Sequence, residues 1–151
     1  MARHFQIREV TKREDYLADL LGIWEASIRA SHDFLSEEAI QAIKAEVPGA
    51  LMGVAQLVLA WSAAGELVGF MGIDGENLEM LFLHPNAWGL GLGRALLEEG
   101  LTAYGLRQLT VNEQNPQAVA FYQHMGFRCY RRTEQDEVGR PYPLLYMRYV
   151  G

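Results

Sequence analysis

Leu78-Glu79-Met80-Leu81-Phe82-Leu83-His84-Pro85-Asn86-Ala87-Trp88-Gly89-Leu90-Gly91-Leu92-Gly93-Arg94-Ala95-Leu96-Leu97 is an apolar strand that breaks at His84-Pro85, passes through alternating glycines and enters a helix. Such a passage builds an anion cradle. Glycine lacks a Cβ and tolerates positive φ, so the backbone can approach a ligand, and the first helical amides have no intrahelical acceptor. Phosphate is the natural guest. A Walker A loop needs Lys followed by Ser or Thr after its last glycine, where this chain has Arg94-Ala95. A dinucleotide fingerprint would put its third glycine at Arg94 and would open the chain, not its middle. A turn that serves packing alone remains the plain alternative, although three alternate glycines exceed what a turn needs.

Outward from this loop, Asn115-Pro116-Gln117-Ala118-Val119-Ala120-Phe121-Tyr122-Gln123-His124-Met125-Gly126-Phe127 reads as a short helix with marked ends. Asn115 suits the N-cap, Pro116 the first helical position and Gly126 the left-handed residue after the last turn. Tyr122 puts a titratable phenol, of ordinary pKa ~10, on this helix as a candidate proton donor. An aromatic pair that anchors a helix is the plainer reading of Phe121-Tyr122.

Gly91 and Gly93 match the last two positions of Arg/Gln-x-x-Gly-x-Gly/Ala, and the Asn115 to Phe127 segment matches Asn-x-x-Ala-x-x-Phe-Tyr-x-x-x-Gly-Phe. Together they resemble the GNAT family of N-acetyltransferases. Ser31-His32-Asp33-Phe34-Leu35-Ser36, Val111-Asn112-Glu113-Gln114-Asn115 and Gly139-Arg140-Pro141-Tyr142-Pro143-Leu144-Leu145 extend the likeness to one bacterial branch of that family, over essentially the whole chain. One position departs: Trp88 stands where the family usually has Arg or Gln.

The resemblance implies an α/β (α+β) fold with a mostly antiparallel sheet, one parallel crossover and helices on both faces, as a single domain over 1–151. It implies acetyl-CoA as cosubstrate, lying along Leu81, Phe82 and Leu83, with the amides of Gly89, Leu90, Gly91, Leu92, Gly93 and Arg94 on the pyrophosphate and Asn115 and Tyr122 beside it. An amine would attack the thioester directly in a ternary complex, with Tyr122 protonating the sulfur. Protein lysine, a polyamine, an amino acid or an antibiotic amine would all serve, and the branch points to peptide lysine. A noncatalytic acetyl-CoA sensor is the alternative from another class.

The base is less legible. In a strand of period two, Glu79 shares a face with Leu81 and Leu83, which makes it the first candidate, against the reading of a solvated carboxylate. His32 and Asp33, in the connection between the first two helices, could bind or deprotonate an amine, or simply end one helix and cap the next. Tyr142 and Tyr146 are candidates for the acceptor cleft or for core, and His84 reads as structural.

Composition sets the outer limits. A chain of 151 residues, 50% hydrophobic and 21% charged, is of globular type. Net charge of -6 without a basic run argues against nucleic acid or an anionic membrane as partner and suits a cationic amine. No His/Cys cluster has metal-ligand spacing, so no metal is expected, and the one cysteine, Cys129, reads as core. No apolar stretch approaches a membrane span, and Met1 to Val10 lacks the apolar core of a secretory leader, so a cytoplasmic protein is expected. A homodimer stays open.

The expected order is a strand over His4 to Val10, a helix opened by a capping box at Thr11-Lys12-Arg13-Glu14, and a second helix from Ser36 that Pro48-Gly49 stops. Strands over Leu57 to Ser62, Glu66 to Asp74 and Asn77 to His84 follow. A helix from about Leu92 to Tyr104 returns to a strand at Gln108 to Val111, parallel to the one before it. The Asn115 helix and strands at Arg128 to Thr133 and Leu144 to Val150 complete the chain.

Overall fold

The computed structural model describes residues 4–151; the first three residues of the segment Met1 to Val10 lie outside them. Seven strands form one sheet in the order β1-β2-β3-β4-β5-β7-β6. They are β1 Gln6–Glu9, β2 Gln56–Trp61, β3 Leu67–Asp74, β4 Asn77–Leu83, β5 Gln108–Asn112, β6 Phe127–Thr133 and β7 Leu144–Tyr149. The helices are α1 Leu17–Ser31, α2 Glu37–Lys44, α3 Val47–Gly53, α4 Leu92–Ala103 and α5 Pro116–His124. Only β4 and β5 run parallel, as a crossover through α4 requires. The mixed sheet is the one the sequence implied.

Strand β2 shows why helices cover both faces. Leu57 and Leu59 pack with Leu20, Ile23, Trp24 and Ile28 of α1 and Leu51 of α3. Val58 and Ala60 point the other way, with Met71 and Ile73, toward Leu92, Leu96 and Leu97 of α4. Successive side chains of a strand alternate in direction, so a continuous apolar run has to be buried twice. Leu20, Leu51, Leu96 and Leu97 are fully enclosed, and truncating any of them to alanine would cost about 2–5 kcal/mol.

Three local expectations yield to tertiary contacts. Thr11 caps nothing: a short 3-10 turn at Arg13–Tyr16 precedes α1, and its N-cap is Lys12, without a side-chain hydrogen bond. Arg13 instead donates to the carbonyls of Leu51 at 2.9 Å and Ala55 at 3.0 Å, satisfying acceptors left open where α3 ends. Pro48 starts a helix and does not stop one, because it sits in the first turn of α3, where its missing N–H costs nothing. Cys129 is exposed on β6, since the helices do not cover that outer strand. Ser36 does cap α2, its hydroxyl accepting from the Ala39 amide at 3.1 Å.

The feature that opens the sheet is in β4. Gly72 pairs with Met80 and Ile73 with Leu78, so Glu79 is an extra, unpaired residue. This bulge also ends the pairing with β5, which is confined to Asn77 with Gln108 and Leu78 with Leu109. Beyond Leu78 the two strands part.

Candidate active site

A cavity of about 380 Å³ occupies the opening between the parted strands, of a size suited to a small-molecule ligand. Its walls come from four elements. Leu81 and Leu83 of β4 form the floor, Gly89, Gly91, Gly93 and Arg94 of the loop and α4 form one rim, Asn115, Phe121 and Tyr122 of α5 form a side, and Ser27 and Ser31 of α1 face them.

Backbone groups dominate the floor and the rim. The His84 amide donates to the Val68 carbonyl at 2.8 Å, and antiparallel ladders alternate, so Leu81 and Leu83 turn their backbone groups away from β3 and toward the opening. Among the described residues, the amides from Gly89 to Arg94 have no backbone or side-chain acceptor. Gly91 stands at φ 85° as the residue before α4, a conformation that L side chains avoid, and it aligns these amides with the positive end of the helix. Arg94, the cation of the loop, is paired with Glu98 at 2.9 Å on the helix surface. Trp88, in place of the usual Arg or Gln, donates its indole N–H to the Leu83 carbonyl at 3.1 Å and so ties the loop to the end of β4. His84 is structural as read: its Nδ1 accepts from the Asn86 amide at 3.1 Å.

Helix α5 delivers the phenol. Asn115 caps it, its side-chain oxygen accepting from the Ala118 amide at 3.3 Å, and Gly126, at φ 101°, lets the chain reverse into β6. Tyr122 is buried on the Phe127 ring, with centroids 6.1 Å apart, yet its side reaches the cavity. Burial pushes its phenol well above the ordinary value of 10, so the proton stays on oxygen at neutral pH. Among the described residues no side-chain hydrogen bond acts on its hydroxyl, which leaves it available to a ligand in the cavity.

The other named residues gather beside the cavity without lining it. Phe34 joins His32, 5.3 Å away, to Tyr142, 5.7 Å away, so the α1–α2 connection meets the β6–β7 connection. Arg140 in the latter is held to Glu46 at 2.6 Å. Asp33 is exposed in the α1–α2 connection. Tyr146 is on the open face of the sheet, under the Arg131 guanidinium at 4.9 Å.

Strand parity does not place Glu79 with Leu81 and Leu83, because it is the unpaired residue of the bulge. The bulge shifts the alternation, so Leu78, Leu81 and Leu83 pack toward α4 while Met80 and Phe82 pack toward α1. The Glu79 carboxyl is exposed outside the cavity wall, and partial burial together with Asp74 and Glu137 raises its pKa.

The serines of α1 carried no role in the sequence reading. Their signal was present in the spacing: Ser27 and Ser31 are four apart on the face that carries Trp24 and Ile28. Ser27 is a buried polar residue on an otherwise apolar stripe.

The site thus joins a mixed sheet split after a bulge to a glycine loop and a helix N-terminus at the mouth of the split. The chain matches the family model for the acetyltransferase (GNAT) domain over residues 25–144 and belongs to that family, whose activity is acetyl transfer to amines. It is 40% identical over 133 residues to the peptidyl-lysine N-acetyltransferase YjaB of Escherichia coli K12, covering 88% of this chain and 90% of that protein. The solution structure of apo YjaB from Escherichia coli superposes with a TM-score of 0.88 at 39% identity, covering 98% of this chain and 99% of that one. The PaiA N-acetyltransferase of Thermoplasma acidophilum, solved in complex with coenzyme A, shares the fold at 20% identity, with a TM-score of 0.69 over 97% of this chain and 99% of that one.

Proposed function

We propose that this protein transfers the acetyl group of acetyl-CoA to the side-chain amine of a lysine in a peptide, by direct attack within a ternary complex. The relative named as a peptidyl-lysine N-acetyltransferase supports the choice of acceptor. The observation that carries the reading is a single cavity holding both the free amides of the glycine loop and the Tyr122 hydroxyl. Acetyl-CoA supplies the activated acyl group as a thioester.

The residues of the chain divide the remaining work. Amides from Gly89 to Arg94 receive the pyrophosphate, where the helix dipole favours negative charge. Leu81 offers both of its backbone groups to the pantetheine arm, whereas the Leu83 carbonyl is already engaged by Trp88. Tyr122 keeps its proton until the carbon–sulfur bond breaks, then gives it to sulfur, the point at which a neutral buried phenol is of most use.

Incubation with acetyl-CoA and a lysine peptide is expected to release free thiol in step with peptide acetylation seen by mass spectrometry. Calorimetric binding of acetyl-CoA without thiol release, across lysine peptides, polyamines and amino acids, would overturn the reading in favour of a sensor.

A further inference from the structure

An amine that attacks in this cavity must lose a proton, and the wall opposite Tyr122 holds a route for it. Ser31 lines the cavity from α1, and its Oγ is 2.7 Å from the Nδ1 of His32. The same hydroxyl donates to the Ser27 carbonyl at 2.7 Å, and with His32 neutral and protonated on Nε2 it gains Nδ1 as a second acceptor to which it can turn. His32 stands at the end of α1 as its C-cap, with its ring half-buried outside the cavity lining.

We propose that Ser31 and His32 form the proton outlet of the reaction: Ser31 takes the proton from the attacking nitrogen and passes its own to Nδ1 of His32. This rests on the acetyl-transfer reading above and assigns the base that reading leaves open. The balance is complete. The carbon–nitrogen bond forms and the carbon–sulfur bond breaks, the nitrogen proton goes to Ser31 Oγ, and the Ser31 proton goes to Nδ1. His32 becomes an imidazolium, and its net loss of one proton to water, through exchange at both ring nitrogens, returns it to the neutral form protonated on Nε2. Sulfur receives the Tyr122 proton, which water restores. Serine ends as it began, so His32 is the acceptor and Ser31 the bridge.

The surroundings suit a base that is neutral at rest. Burial lowers the His32 pKa below 6.5, with Asp33 opposing in the other direction. The carbonyl end of α1 also favours the imidazolium when it forms. Across Phe34 the β6–β7 connection presents Tyr142, and from α2 the nearby Glu37 is taken up by Arg29 at 2.7 Å. Asp33 is therefore the carboxylate that acts on the ring. Glu79, the alternative, is not among the residues that line the cavity.

The test compares wild type with Ser31→Ala, His32→Asn and His32→Gln, using a lysine peptide and, in parallel, spermidine as acceptors. Asn keeps an amide near the Nδ1 position but cannot accept a proton, so a role in packing or hydrogen bonding is retained. Expected are a fall of roughly 100-fold in kcat/KM, the usual scale for a general base, and unchanged calorimetric affinity for acetyl-CoA. The acid limb of the wild-type profile, falling as pH drops through the His32 pKa below 6.5, is expected to vanish in His32→Asn and His32→Gln. Nitrogen-15 NMR of wild type, free and with acetyl-CoA, is expected to find neutral His32 protonated on Nε2, leaving Nδ1 to accept. Unchanged kcat/KM in Ser31→Ala, an acid limb that survives both His32 variants, or a neutral ring protonated on Nδ1 would each overturn the outlet. Turnover of spermidine without the peptide would sink the peptide reading while the outlet is judged on spermidine. If neither is acetylated, acetyl transfer to these amines falls and the tautomer alone decides the outlet.

Discussion

The two sides of the cavity are built from different materials. The glycine loop and the edge of β4 present backbone: amides from Gly89 to Arg94 and the outward groups of Leu81. The side proposed for the acceptor presents side chains, with Ser27 and Ser31 on the wall and His32, Phe34, Tyr142 and Arg140 behind it, drawn from α1, the α1–α2 connection and the β6–β7 connection. A backbone site needs only a conformation, which a run of glycines specifies locally. A side-chain site needs several distant segments to meet, so its identity can change without disturbing the cofactor side. One fold can thus keep its acyl donor while varying its acceptor.

The sharpest way to break this contrast is Tyr122→Phe, which removes a single oxygen from the backbone-built side. The fold and acetyl-CoA affinity are expected to hold while kcat falls by roughly 10²–10⁴-fold, measured by free-thiol release. Unchanged kcat, with chemistry limiting the wild-type rate, would return Tyr122 to the packing of Phe127. The next effect is conformational. Gly91→Val forces a β-branched residue to φ 85°, at about 1–2 kcal/mol or more, and calorimetry should find acetyl-CoA binding weakened by roughly tenfold. Gly93→Ala should be milder, since its Cβ would meet Phe121 at an ordinary 3.4 Å. Trp88→Ala loses only the bond to Leu83 and should also weaken binding less than Gly91→Val; the reverse order would move the anion site from backbone to side chain.

Smaller effects sharpen the acceptor side. Arg140→Ala releases the β6–β7 connection from Glu46, an exposed pair worth at most about 1 kcal/mol, so thermal stability should barely change. A rise in peptide KM with unchanged acetyl-CoA KM would mark that connection as acceptor wall, and equal changes in both would remove the distinction. Glu79→Gln should be the mildest. The native carboxyl ionises above its unfolded value of 4.5, so ionisation favours unfolding and stability declines as pH rises through the native pKa. The glutamine variant should therefore melt slightly higher near neutral pH and equally well below pH 4.5, as calorimetric melting would register. A large loss of kcat there would bring Glu79 back to the chemistry.

The legibility of the chain follows the same division. Gly91 and Gly126 were readable because positive φ is a property of one residue, and the Asn115-Pro116 start of α5 because capping is settled within a few residues. Thr11 was misread as a cap because Arg13 finds its acceptors at the end of α3, some forty residues on, which no local window contains. The Glu79 parity argument lost its premise for a related reason. Period-two reasoning assumes an unbroken ladder, and whether a strand bulges depends on the register of its neighbour, here Gly72 and Ile73 of β3.

By itself the sequence determined the glycine loop, the tyrosine helix and, α3 excepted, the order of strands and helices, since each is encoded by local patterns of apolar spacing, glycine and capping residues. Tertiary structure alone decided that β4 parts from β5, that Trp88 closes on Leu83 rather than reaching a ligand, and that Ser31, backed by His32, shares one cavity with Tyr122. Those are meetings of groups far apart in the chain, and only packing and ladder register bring them within a few ångströms.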